Sequence, residues 1–178
     1  MKEIKKGVNG MSKKSKSTLS IVITITALLT IICALVFPGI ILESQTHIES
    51  DFTYIFGFTS IFGGEITPKG FDLPIALAFN GWSFSALMTT LVIIPLVVIY
   101  DRQISSLVLS IILSIYSGVV FLLNERLITE INGTITGFTS YLQTGFGTWV
   151  CIGFLCLLVI ECLIGIYLIK SDTGRRHH

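Results

Sequence analysis

Four stretches without a single charged residue, 17–42, 73–100, 103–124 and 131–160, constrain this chain more than any other feature. Each holds the roughly 20 apolar residues that about 30 Å of hydrocarbon requires at about 1.5 Å per helical residue. In lipid every backbone group must be satisfied within its own segment, so separate apolar runs of this length read as helices rather than strands. Trimmed where Gly, Pro, Asn and polar clusters break the pattern, the spans are expected at 18–42, 82–100, 104–123 and 149–169. Composition agrees: over 178 residues, 52% are hydrophobic and 13% charged, with a mean hydropathy of +0.82.

The basic residues orient the spans. Lys2, Lys5, Lys6, Lys13, Lys14 and Lys16 precede the first span, Arg102 lies between the second and third, and Lys170, Arg175 and Arg176 follow the fourth. Only Lys69 and Arg126 lie on the other side, among Glu43, Glu49, Asp51, Glu65, Asp72, Glu125 and Glu130. The net charge of +1 hides this asymmetry. By the positive-inside rule both termini are expected in the cytoplasm, at the cell membrane, with the two longer loops outside. The first apolar run exceeds the h-region of a signal peptide and reads as an uncleaved anchor. Met11, before Ser12, Lys13 and Lys14, is a second candidate start. The expected fold is an all-α membrane protein, a four-helix transmembrane bundle over 18–170. A basic N-terminus (1–17) and a short tail (171–178) flank it.

In the first outer loop Phe52, Tyr54, Phe56 and Phe58 alternate with Thr53, Ile55, Gly57 and Thr59, the period of a strand with one aromatic face. Gly63 and Gly64 supply a turn, and Ile75 to Phe79, after Pro74, is the expected return strand of a small β-hairpin. The alternative is an interfacial aromatic belt without a sheet. The turn Asp101, Arg102, Gln103 is short enough to make the second and third spans antiparallel neighbours. Ser106, Ser110, Ser114 and Gly118 recur every four residues on the third span, a small-residue face for close helix packing, inside the bundle or against another protein.

Chemistry is sparse. Cys33, Cys151, Cys156 and Cys162 all fall within spans and form no CxxC pair, so they read as small packing residues. The histidines are His47, His177 and His178, none within a span, which excludes a bis-histidine haem site in the bilayer. No HExxH, GxSxG, phosphate-binding glycine loop or basic aromatic patch is present. Neither an enzyme nor a nucleic-acid partner is expected, and no cofactor. Glu43, His47, Glu49 and Asp51 read either as a cation cluster or as a solvated acidic loop. Asn132, Gly133 and Thr134 match a glycosylation sequon.

Glu161 stands out. It lies near the middle of the fourth span, about 12 Å from the cytoplasmic end, too deep for a short side chain to reach water. A charge there costs at least about 2.5 kcal/mol, so the group should face the bundle with a partner or a proton. Thr26, Thr90, Ser110 and Ser114 lie at comparable depth and are the expected partners. Glu161 is then either a structural hydrogen bond that fixes helix register or a proton or cation site in a transport path.

The segments FGFTSIFGG and FNGWSFSALMTTLVIIPLVVI, with TGFGTWV before the fourth span, resemble an uncharacterised family of small four-span membrane proteins of Gram-positive bacteria and mollicutes. That resemblance implies a location rather than an activity. The layout, a larger β-prone first outer loop and a shorter second one, is also similar to the claudin-like four-span group. The chain departs from that group in lacking its tryptophan and paired cysteines in the first outer loop. The expected function is non-enzymatic, through protein contacts, as an accessory subunit or surface interaction module. Partners would be the bilayer and a membrane protein or a second copy. The alternative is a small transporter or channel component using Glu161.

Overall fold

The computed structural model describes residues 2–45, 50–67, 74–99, 103–131 and 142–174. Four helices are long and apolar enough to cross a membrane: the Thr18–Val36 part of α1 (Lys2–Val36), α3 (Gly81–Ile99), α4 (Ile104–Leu122), and the Phe146–Ser171 part of α6 (Phe146–Gly174). They are the framework expected of a multi-pass membrane protein. Each of α1 and α4 packs against both α3 and α6, closing an antiparallel ring of four.

The first helix ends sooner than the apolar run does. Hydropathy carries the first span to residue 42, but α1 stops at Val36, and Pro38–Gln45 is a strand, β1. Pro38 has no N–H to give a helix, and a proline disfavours the helical conformation of the residue before it. Ile40 and Ile41 then suit extended backbone. Near the other spans the helices begin at Gly81, Ile104 and Phe146, within a few residues of the expected positions.

At one end of the bundle the connections fold into a small cap. The aromatic segment is a strand, β2 (Ser50–Phe56), but its partner is β1 rather than residues 75–79. Tyr54 lies opposite Ile41 and Phe52 opposite Glu43. Phe58 falls outside it, on α2 (Gly57–Phe62). The expected turn is present, with φ of 79° at Gly63 and 146° at Gly64. It leads into a separate hairpin of β3 (Gly64–Ile66) and β4 (Ile75–Leu77). Besides β1, α2 and β3, the elements α5 (Asn124–Ile131) and β5 (Leu142–Thr144) were not expected; β5 pairs with β1 to complete the order β2-β1-β5.

The cap has its own core. Ile40, Leu42 and Ile55 from the inner face of the sheet meet Ile128 of α5, with Ile66, Leu77 and Leu142 packed around them. Between Pro38 and Ile40 the register shifts by one residue, so Gly39 is the extra residue of a bulge. Its carbonyl accepts from the Gly145 backbone N–H (2.8 Å) and from Thr148 Oγ1 (2.8 Å), which fastens the start of α6 to β1. Three glycines allow this closeness: a Cβ on Gly57 would overlap the Ala34 carbonyl, and one on Gly145 or Gly147 would overlap the Pro38 carbonyl.

Candidate functional site

Glu161 lies on the face of α6 turned toward α1 and is 7% exposed. Thr26 Oγ1 donates to Glu161 Oε1 at 2.9 Å and also reaches the Val22 carbonyl at 3.1 Å. The geometry accommodates either form of the acid. Thr26 donates to a carboxylate, or keeps its proton on Val22 and accepts from a neutral carboxyl. Glu161 Oε2 is fully buried and has no hydrogen-bond partner among the described residues.

Of the four hydroxyls expected around Glu161, the structure brings Thr26 to it and turns the other three elsewhere. Thr90 donates to the Ala86 carbonyl (2.9 Å) and to Ser117 Oγ (3.2 Å). Ser110 donates to the Ser106 carbonyl and Ser114 to the Ser110 carbonyl, both at 2.8 Å. Depth along a helix is countable from sequence, whereas the direction in which each side chain points depends on how the helices are rotated. A serine within a helix also has a ready acceptor one turn back.

The small-residue face of α4 is turned into the bundle. Ser106, Ser110 and Ser114 are buried, and a Cβ on Gly118 would sit 3.8 Å from Leu155 of α6. Beside it, Ser117 joins α4 to α3: its Oγ donates to the Ala86 carbonyl (3.0 Å) and lies 2.7 Å from Thr89 Oγ1.

A second polar cluster, which the sequence reading missed, lies where the bundle meets the cap. Asn80 caps α3, its Oδ1 accepting from the Ser83 backbone N–H at 3.1 Å. Asn80 Nδ2 then donates to Asn124 Oδ1 (3.0 Å), which also accepts from Ser83 Oγ (2.7 Å). All three residues are buried. An Asn three residues ahead of Ser at the start of an apolar run was the available signal for the cap. Nothing local pointed to Asn124 as its partner.

The outer face of the sheet is aromatic. Phe52, Tyr54 and Phe56 are 41%, 56% and 55% exposed, while their neighbour Ile55 faces the cap core. Beside them Gln143 Nε2 donates to Glu43 Oε2 at 2.9 Å. Phe58, Phe62, Phe79 and Phe84 form a separate aromatic cluster where α2 meets α3, with ring centroids 4.7 to 6.5 Å apart.

Among the described residues no group of three His, Cys, Asp or Glu is placed to hold a metal ion. His47, Glu49, the sequon at Asn132, and the turn residues Asp101 and Arg102 lie outside the described residues. The four cysteines are free thiols; Cys33, Cys151 and Cys162 are buried and Cys156 is exposed. No protein-family model matches this chain, and neither does any curated protein.

Proposed function

We propose that this is a multi-pass protein of the cell membrane that works through contacts with other membrane proteins rather than by catalysis. Both termini would lie in the cytoplasm and the cap outside. The observation that carries this reading is the exposed aromatic face of Phe52, Tyr54 and Phe56. Clustered aromatic side chains on an exposed surface are characteristic of protein contact sites. The serine face of α4, the other surface available for a partner, is occupied inside the bundle. The small-residue packing therefore serves the protein's own helices, and the cap is the part free to meet a neighbour.

A photo-crosslinking residue in place of Tyr54, activated in the native membrane before mild detergent extraction, tests the contact. A discrete protein adduct is expected, whether to an accessory partner or a second copy. A strictly monomeric protein without an adduct counts against the reading.

The second reading, a small transporter or channel component, draws on the unpartnered buried oxygen of Glu161. Acidic side chains within a span commonly mark ion or proton paths. Glu161→Gln in a reconstituted flux assay should then change the pH dependence, and unchanged flux would sink the idea.

A further inference from the structure

We infer that the joint between sheet and bundle is a binding site for one buried water molecule. A cavity of about 10 Å³ lies there, bounded by Ala34, Gly39, Ser60, Phe121, Asn124 and Thr148. That is about the volume one water needs, and such a water requires two to four polar partners. Three polar atoms converge on this spot. The point where a Cβ on Gly39 would sit is 3.5 Å from Ser60 Oγ, 3.7 Å from Thr148 Oγ1 and 3.8 Å from Asn124 Nδ2.

The protons say what the site can hold. Ser60 gives its hydroxyl proton to the Gly57 carbonyl (2.9 Å), and Thr148 gives its own to the Gly39 carbonyl (2.8 Å). Both oxygens keep lone pairs. The amide of Asn124 is oriented by a chain that begins at a backbone donor. Ser83 N–H fixes Asn80 Oδ1, so Asn80 presents its Nδ2, and Asn124 must receive it with Oδ1. Asn124 Nδ2 is thereby left to face the cavity. The site offers one donor and two acceptors, the complement of a water that accepts once and donates twice. A cation would meet the amide N–H, and an apolar group would leave that N–H unpaired.

This assigns a reason for Gly39. Its φ is not in the left-handed region, where, among the described residues, only Gly63 and Gly64 fall. A Cβ there would meet its neighbours at ordinary contact distances. Neither backbone conformation nor a clash requires glycine, but a methyl would take the space of the water. The water would tie α2, the start of α6 and the junction of α4 with α5 together at the bulge of β1.

Gly39→Ala tests the inference by the sign of its effect. In a dry cavity the methyl fills a void and restricts the unfolded chain, so the unfolding midpoint of the purified full-length protein should rise. With water displaced and Asn124 Nδ2 left unpaired, the midpoint should fall by about 3 °C or more. Gly39→Ser, which brings its own hydroxyl, should recover part of that loss. A midpoint for Gly39→Ala at or above that of the wild type overturns the inference. Should the variant fail to fold, an experimental structure of the wild type that resolves ordered water decides. Density within hydrogen-bond reach of Ser60 Oγ, Thr148 Oγ1 and Asn124 Nδ2 is expected, and its absence overturns the site.

Discussion

The bundle buries a mixture of apolar and hydroxylated side chains, whereas the core of the cap is apolar. Inside the bundle Thr26, Thr30, Ser83, Thr90, Ser106, Ser110, Ser114 and Ser117 are buried beside Ile23, Leu87, Ile93, Leu107, Phe121 and Leu158, while Ile21, Ile32, Ile112 and Ile164 point outward. Inside the cap lie Ile40, Leu42, Ile55 and Ile128, while Glu43 and Gln143 pair on its outer face. The difference follows from the surroundings each is built for. Against lipid, an apolar side chain gains little by turning inward, so small hydroxylated residues that let backbones approach can share the interior with apolar ones. In water, the removal of apolar surface drives folding. One chain therefore obeys two rules, and the change occurs within residues 37–39.

The largest expected effect is at that boundary. Gly57→Ala drives a methyl into the Ala34 carbonyl and should cost about 4 kcal/mol or more, read as loss of the monodisperse folded protein in detergent. Within the cap, Leu42→Ala should cost about 2–4 kcal/mol. Limited proteolysis of the cap should accelerate while far-UV helicity stays intact, and a simultaneous loss of helix would mean that the two regions are one cooperative unit. Thr90→Val removes a buried hydroxyl bonded within α3 and to α4; a loss of about 0.6–1.5 kcal/mol is expected from denaturation in mixed micelles. Smallest of all, Tyr54→Ser should leave stability within about 0.5 kcal/mol yet weaken copurification of the proposed partner after mild detergent extraction. A large stability loss there would place Tyr54 in the cap core instead.

How much of this was legible follows the same division. The four helices were readable because each span is a long apolar run, free of charge in the first three and broken only by Glu161 within the fourth, a property of the chain alone. The end of α1 was not, because Ile40, Ile41 and Leu42 are as apolar in a strand as in a helix; only Pro38 and Gly39 marked the change. The alternation of Phe52, Tyr54 and Phe56 announced a strand, but strand pairing is a long-range choice, and β1 was hidden inside an apparent span. At Glu161 the depth argument pointed to a buried, hydrogen-bonded acid. It could not say which of four hydroxyls at similar depth would be turned toward α6. The link from Asn80 to Asn124 joins residues 44 positions apart and has no local signature beyond the cap.

Phe37 is the only residue between α1 and β1, and the bulge at Gly39 is fastened to α6 by two hydrogen bonds. A joint without slack behaves as a lever. The eight residues of β1 reach about 26 Å at about 3.3 Å each, so a 10° tilt of α1, of the kind a thinner bilayer imposes, would sweep the far tip of the strand through roughly 4–5 Å. The aromatic face of β2 rides on that strand. Bilayer thickness would then be converted into the angle at which the cap presents itself to a neighbour.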